Sequence, residues 1–150
     1  MTLLRSIHVL VAVAALTAAA CDEKLSDLTG PTPNLEPTFS SIAANIFEAS
    51  DSSGRASCVQ CHTDVGRTPP QGLNLRAGVA YGQLVNVASA QKPGMLRVAP
   101  GNPDGSYLVH KLEGRSDIVG QRMPRTAGPF LTEGQMMVIR RWIALGAPNN

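Results

Sequence analysis

Across residues 38–49, TFSSIAANIFEA places Phe39, Ile42, Ala43, Ile46 and Phe47 at i, i+3, i+4, i+7 and i+8. That spacing gathers apolar side chains on one face of a helix, which Thr38 or Ser40 is placed to cap. Tyr81, Leu84, Val85 and Val87 mark a second, short helix over residues 81–87. A third spans 103–113, with Asn102 as N-cap, Pro103 in the first turn and Gly114 as the C-terminal stop. The last helix is the clearest. Thr132-x-x-Gln135 is a capping box, Met136, Ile139, Trp142 or Ile143, and Leu145 form an apolar stripe behind it, and Gly146 and Pro148 end it. The stretches between (SDSSGRAS at 50–57, residues 63–76 with Pro69, Pro70 and two glycines, and residues 89–100) read as loop. No segment alternates as a strand would. The pattern predicts an all-α domain of short helices with a large share of loop.

The N-terminal pattern is of another kind. Arg5 precedes IHVLVAVAALTAAA, an apolar run that ends in small residues and is shorter than the ~20 residues a bilayer-spanning helix needs. It reads as an export signal over residues 1–20. Small residues directly before Cys21 resemble the bacterial lipobox, in which that cysteine becomes the acylated first residue of the mature chain. The competing reading is ordinary cleavage after Ala18-Ala19-Ala20. Acylation is favoured, because a lone cysteine in an oxidising compartment is a liability and a thioether-linked lipid gives Cys21 a use. Residues 21–37 carry acids and three prolines and little that is apolar, and read as a tether. Residues 38–150 are then the folded domain.

Composition narrows the class. The 150 residues are 43% hydrophobic and 16% charged, with one Trp, two Tyr and three Phe. A core of Leu, Ile, Val and Ala alone is modest, which leaves room for a buried cofactor. The net charge of +2, without a Lys/Arg run, argues against nucleic acid and gives no strong steering toward a partner.

The candidate chemistry lies at Cys58-Val59-Gln60-Cys61-His62. A redox dithiol works through a lowered thiolate at a helix start, usually in a βαβ unit, and no strand precedes this motif. A structural zinc needs four N/S ligands, and beyond these three side chains the mature chain has only His110 and Cys21 to offer. Covalent haem attachment needs two thiols for the two vinyl groups and a neighbouring imidazole for the iron, and Cys-x-x-Cys-His supplies all of them within one turn. The motif is read as a haem c site with Cys58 and Cys61 as thioethers and His62 as axial ligand.

Other stretches agree with that reading: GLNL at 72–75, RVAPGNPDGSYLVHKLEG at 97–114, RMP at 122–124 and VIRRWIALGA at 138–147. On these residues the chain resembles the class I c-type cytochromes, especially the small single-haem domains of exported bacterial proteins that include planctomycete-type cytochrome c. The resemblance covers residues 42–147. It implies the class I cytochrome c fold, one haem wrapped by these stretches, and first and last helices packed on each other.

The sixth iron ligand has five candidates: Met95, His110, Met123, Met136 and Met137. Met136 and Met137 fall in the first turns of the last helix and read as core packing. His110 reads as an exposed helix residue, and Met95 lies in a loop before the third helix. Met123 lies in the loop GQRMPRTAGPF, where Pro124 biases it toward extended backbone, and the resemblance places a distal methionine there. Met123 is therefore expected to be the second axial ligand. The resemblance also implies that a proline carbonyl, Pro69 or Pro70, orients His62. Leu73 and Leu75 are expected to cover the haem. Trp142 and Tyr107 are read as packing residues or propionate donors, and Arg122, Arg125, Arg140 and Arg141 as partners of propionates or of a redox protein.

With both axial positions filled by protein, substrate cannot reach the iron, and no other catalytic constellation is visible. The expectation is a non-enzymatic, single-haem electron carrier cycling Fe(II)/Fe(III), tethered by lipid on the periplasmic side of a bacterial membrane and serving redox partner proteins. Asp22 after Cys21 resembles an inner-membrane retention signal. The alternative is a haem-binding subunit or sensor of a larger complex with a labile sixth ligand; a peroxidase would need a distal acid/base pair that the chain lacks.

Overall fold

The computed structural model describes residues 34–125 and 129–150. The expected signal peptide, Cys21 and most of the tether lie outside the described residues. Within them the chain is mostly helical and has isolated β-bridges but no sheet.

The first apolar stripe folds as expected on one face but not as one regular helix. Helix α1 (Phe39–Ile42) is capped by the Thr38 hydroxyl, which accepts from the Ser41 amide, and continues as a wider π segment, Ala43–Glu48. Ile42, Ile46 and Phe47 are buried along it. Two of the amides that a helix start leaves without internal partners, Phe39 and Ser40, donate to Asn150, at Oδ1 and the main-chain carbonyl.

Helix α2 (Ala80–Leu84) is shorter than the expected 81–87. Val85 turns extended and pairs with Val98, and Ala88 pairs with Leu96, so residues 85–98 form a narrow paired loop rather than a plain one. Helix α3 (Tyr107–Glu113) starts later than the expected 103. Asn102 caps a preceding turn, its Oδ1 accepting from the Gly105 amide, while buried Ser106 stays extended to pair with Leu96 and becomes the N-cap position. Gly114 ends α3 at φ 72, a left-handed conformation that glycine adopts without penalty. A Cβ there would also sit 2.7 Å from Cδ of Arg122.

Helix α4 (Glu133–Ala144) carries the full capping box, with Thr132 and Gln135 each bonding the other's backbone amide. Met136, Ile139, Trp142 and Ile143 are buried. Leu145, assigned to the stripe, is 54% exposed because the helix closes at Ala144, and Met137, assigned to the core, is 63% exposed on the opposite face. Helices α1 and α4 pack together through Phe39 and Trp142, with ring centroids 5.6 Å apart. Tyr81 stands edge-on to Phe39 and donates to the Ala147 carbonyl, and Trp142 Nε1 donates to Pro148, which pins the C-terminal turn onto the core.

Candidate functional site

A cavity of about 370 Å³ opens between the π segment, the cysteine motif, the 70–75 stretch, α3 and the loop before α4. That is a volume in the range of small-molecule and cofactor sites. Cys58, Cys61, His62, Leu73, Leu75 and Met123 all line it. The described structure thus brings together every expected haem-contacting residue from three separate stretches of chain.

The motif folds locally. Residues Cys58–Gln60 make a 3-10 turn, and the Cys61 and His62 amides both donate to the Cys58 carbonyl at 3.2 and 2.9 Å. The partly buried Cys58 thiol lies 3.5 Å from the Ile46 carbonyl, and its desolvation pushes the pKa up to about 11. A thiol held protonated at neutral pH is the reverse of what a dithiol redox catalyst needs. Cys61 is exposed at the cavity edge. Among the described residues no three His, Cys, Asp or Glu side chains converge as a set that could hold a metal ion.

His62 is held on two sides by the same segment. Its Nδ1 lies 3.2 Å from the Leu73 carbonyl, and its own carbonyl accepts from the Leu75 amide at 2.9 Å. A carbonyl only accepts, so Nδ1 carries the proton and Nε2 keeps its lone pair. Burial pushes the imidazole below its ordinary pKa, the Leu73 carbonyl works against that, and the cations Arg97 and Lys111 add to the depression. His62 is neutral at pH 7 and has the form of a metal ligand. The orienting carbonyl was expected from Pro69 or Pro70, but both are engaged elsewhere. They accept from the Gly72 and Leu73 amides to close the turn Pro70–Gly72, and that turn, with Gln71 at φ 55, delivers Leu73 to the ring.

Met123 is half-buried against the core, and its amide donates to the Lys111 carbonyl at 2.9 Å. The rival candidates lie elsewhere. Met136 is in the core beneath α4, and Met95 is bound into the 85–98 loop through its amide and carbonyl. His110 is not the exposed residue expected. It is 6% exposed, with Nδ1 at 2.9 Å from the Asp117 carboxylate and Nε2 at 2.7 Å from the Asp104 carbonyl, so both ring nitrogens are occupied.

The charged lining is one-sided. Arg55, Arg67, Arg97, Lys111 and Arg125 line the cavity, and among the described residues no Asp or Glu does. Arg97 spans its wall, donating to the Gln83 and Gln71 carbonyls at 2.8 Å, and burial pushes its pKa down. Of the arginines singled out in the sequence, only Arg125 lines the cavity. Arg122 stacks on Phe130 and donates to the Leu112 carbonyl, Arg140 pairs with Asp104 and Glu113, and Arg141 is exposed. Tyr107 lines the cavity and accepts from the Val119 amide, while Trp142 is purely core. Arg55, Arg97 and Lys111 are contributors that sequence reasoning passed over. The one local signal was Asp51 four residues before Arg55, the partner that makes burial of a guanidinium tolerable.

No family model, curated protein or solved structure matches this chain.

Proposed function

We propose that this chain is a single-haem c-type cytochrome that carries electrons one at a time between redox partner proteins, without enzymatic turnover of its own. The observation that carries the reading is convergence. Two thiols, a neutral imidazole and a thioether face one apolar cavity whose charged lining, among the described residues, is cationic. Haem matches that set, with two vinyl groups for Cys58 and Cys61, an iron for His62 and Met123, and two carboxylates for the cationic lining. The bound group supplies a reversible Fe(II)/Fe(III) couple at the comparatively high potential that His/Met ligation favours. The protein's own share is to hold and to exclude. Leu73 fixes the His62 tautomer, Met123 occupies the position a substrate would need, and Leu75, Leu84 and Leu112 keep water from the cavity wall.

The membrane side of the proposal rests on sequence alone. Export through residues 1–20, cleavage before Cys21 and acylation of that cysteine would tether the domain to the periplasmic face of a bacterial membrane, with Asp22 favouring the inner one. No helix among the described residues is long and apolar enough to cross a membrane.

Mass spectrometry of the mature protein from a host that attaches haem tests both parts. The expected mass is the chain from Cys21 plus one haem and a diacyl or triacyl group; absence of the haem mass overturns the main reading. Cys58→Ala with Cys61→Ala is expected to leave no covalent haem. Rapid carbon monoxide binding by the reduced wild type would replace the carrier reading with a sensor or subunit that has a labile sixth ligand.

A further inference from the structure

Helix α3 grips the segment that carries Met123 along its length. The Tyr107 hydroxyl accepts from the Val119 amide at 2.9 Å, His110 holds the Asp117 carboxylate, and the Leu112 carbonyl accepts from Arg122 Nε at 2.7 Å. Lys111 holds it at three places. Its Nζ donates to the Val119 and Gln121 carbonyls at 2.9 and 2.7 Å, and its own carbonyl accepts from the Met123 amide at 2.9 Å. This lysine is only 7% exposed and lines the cavity, yet no carboxylate among the described residues pairs with it. A buried ammonium satisfied by two loop carbonyls is not a solvated surface charge. Its hydrogen bonds are spent on fixing main chain two and four residues before Met123.

We infer that Lys111 is the positioning residue for Met123 and sets how firmly the thioether stays at the iron. The inference rests on the haem reading above. Carbon monoxide enters only the minor state in which Met123 has left, so its binding rate reports that population directly. Removing the two Nζ bonds frees the loop and enlarges that minor state.

The test uses the haem-loaded protein. Lys111→Leu is expected to raise the carbon monoxide association rate about tenfold or more, and to weaken the red methionine–iron charge-transfer band of the oxidised form. Lys111→Arg, whose fork can reach both carbonyls, is expected to restore the rate to within about twofold of wild type. A folded Lys111→Leu protein with the wild-type rate and band overturns the inference. If Lys111→Leu does not fold, Lys111→Gln, which keeps a donor and sheds the charge, carries the test: an intermediate rate is expected, and a wild-type rate overturns it. Met123→Leu separates the two claims. If it leaves band and rate unchanged, Met123 is not the ligand and the underlying reading fails; if it abolishes the band while Lys111→Leu changes nothing, only the role of Lys111 fails.

Discussion

The cavity has two buried cations on its wall, and they are secured differently. Arg55 is wholly buried, and all five of its N–H donors are used: Nε on Asp51, and the terminal nitrogens on the carbonyls of Ile46, Ala56, Asn45 and Ala49. It closes the carbonyl end of the π segment, the end where a positive charge is favoured, and its own charge is neutralised by Asp51. Lys111 has two carbonyls and, among the described residues, no acid. The cysteine side of the site is thus a self-neutralised unit built around one guanidinium, while the methionine side is a loop fastened from outside by a helix. The first is expected to behave as rigid scaffold and the second as the adjustable half.

The sharpest way to break this contrast is Arg55→Leu. It strips four carbonyls of a donor and leaves the Asp51 carboxylate without its cationic partner, a change that costs about 3–5 kcal/mol in comparable buried pairs. Denaturant unfolding should show that loss, and haem attachment should fall with it. Gly114→Ala acts on the other half. It forces a side chain into left-handed backbone and against Arg122, at about 1–2 kcal/mol, and should raise carbon monoxide binding while leaving attachment intact. Thr132→Ala removes one arm of the capping box for about 1 kcal/mol and lies in neither half. Its thermal midpoint should drop with no change in haem spectrum.

The smallest effect is in pH. Burial raises the Asp51 carboxyl, but bonds from Ser53 and Arg55 outweigh it, and the net pKa lies below the usual 3.8. A depressed folded-state pKa contributes stability that is fully present above 3.8 and is lost as pH falls through the folded value. Wild type should therefore lose stability below about pH 4 more steeply than Arg55→Leu does, as read from denaturation midpoints across that range.

What was legible in the sequence was local. The Cys-x-x-Cys-His turn, the Thr132–Gln135 box and the Gly114 stop are each set by residues within a few positions of one another, and each folds as read. What was not legible depends on chain returning from elsewhere. Leu73 orients His62 only because both proline carbonyls are consumed in their own turn. His110 reads as solvent-facing because the polar side of a short helix normally is, and Lys111 beside it gives no signal of its own. Here residues 115–123 fold back over that side and bury it, which periodicity within one helix cannot reveal. Arg55 sits in a stretch of small polar residues whose composition hides a fully buried guanidinium.

Besides the side chains of Asp117 and Arg122, helix α3 grips its neighbour through four main-chain groups: the amides of Val119 and Met123 and the carbonyls of Val119 and Gln121. Such contacts do not ask what side chain the held residue bears. Positions 119 and 121 are therefore free to drift in identity, and a library randomised there should stay largely functional. The same library at 107 and 111 should collapse to a few survivors. The information that places the thioether is stored in the helix that holds it, not in the loop that presents it.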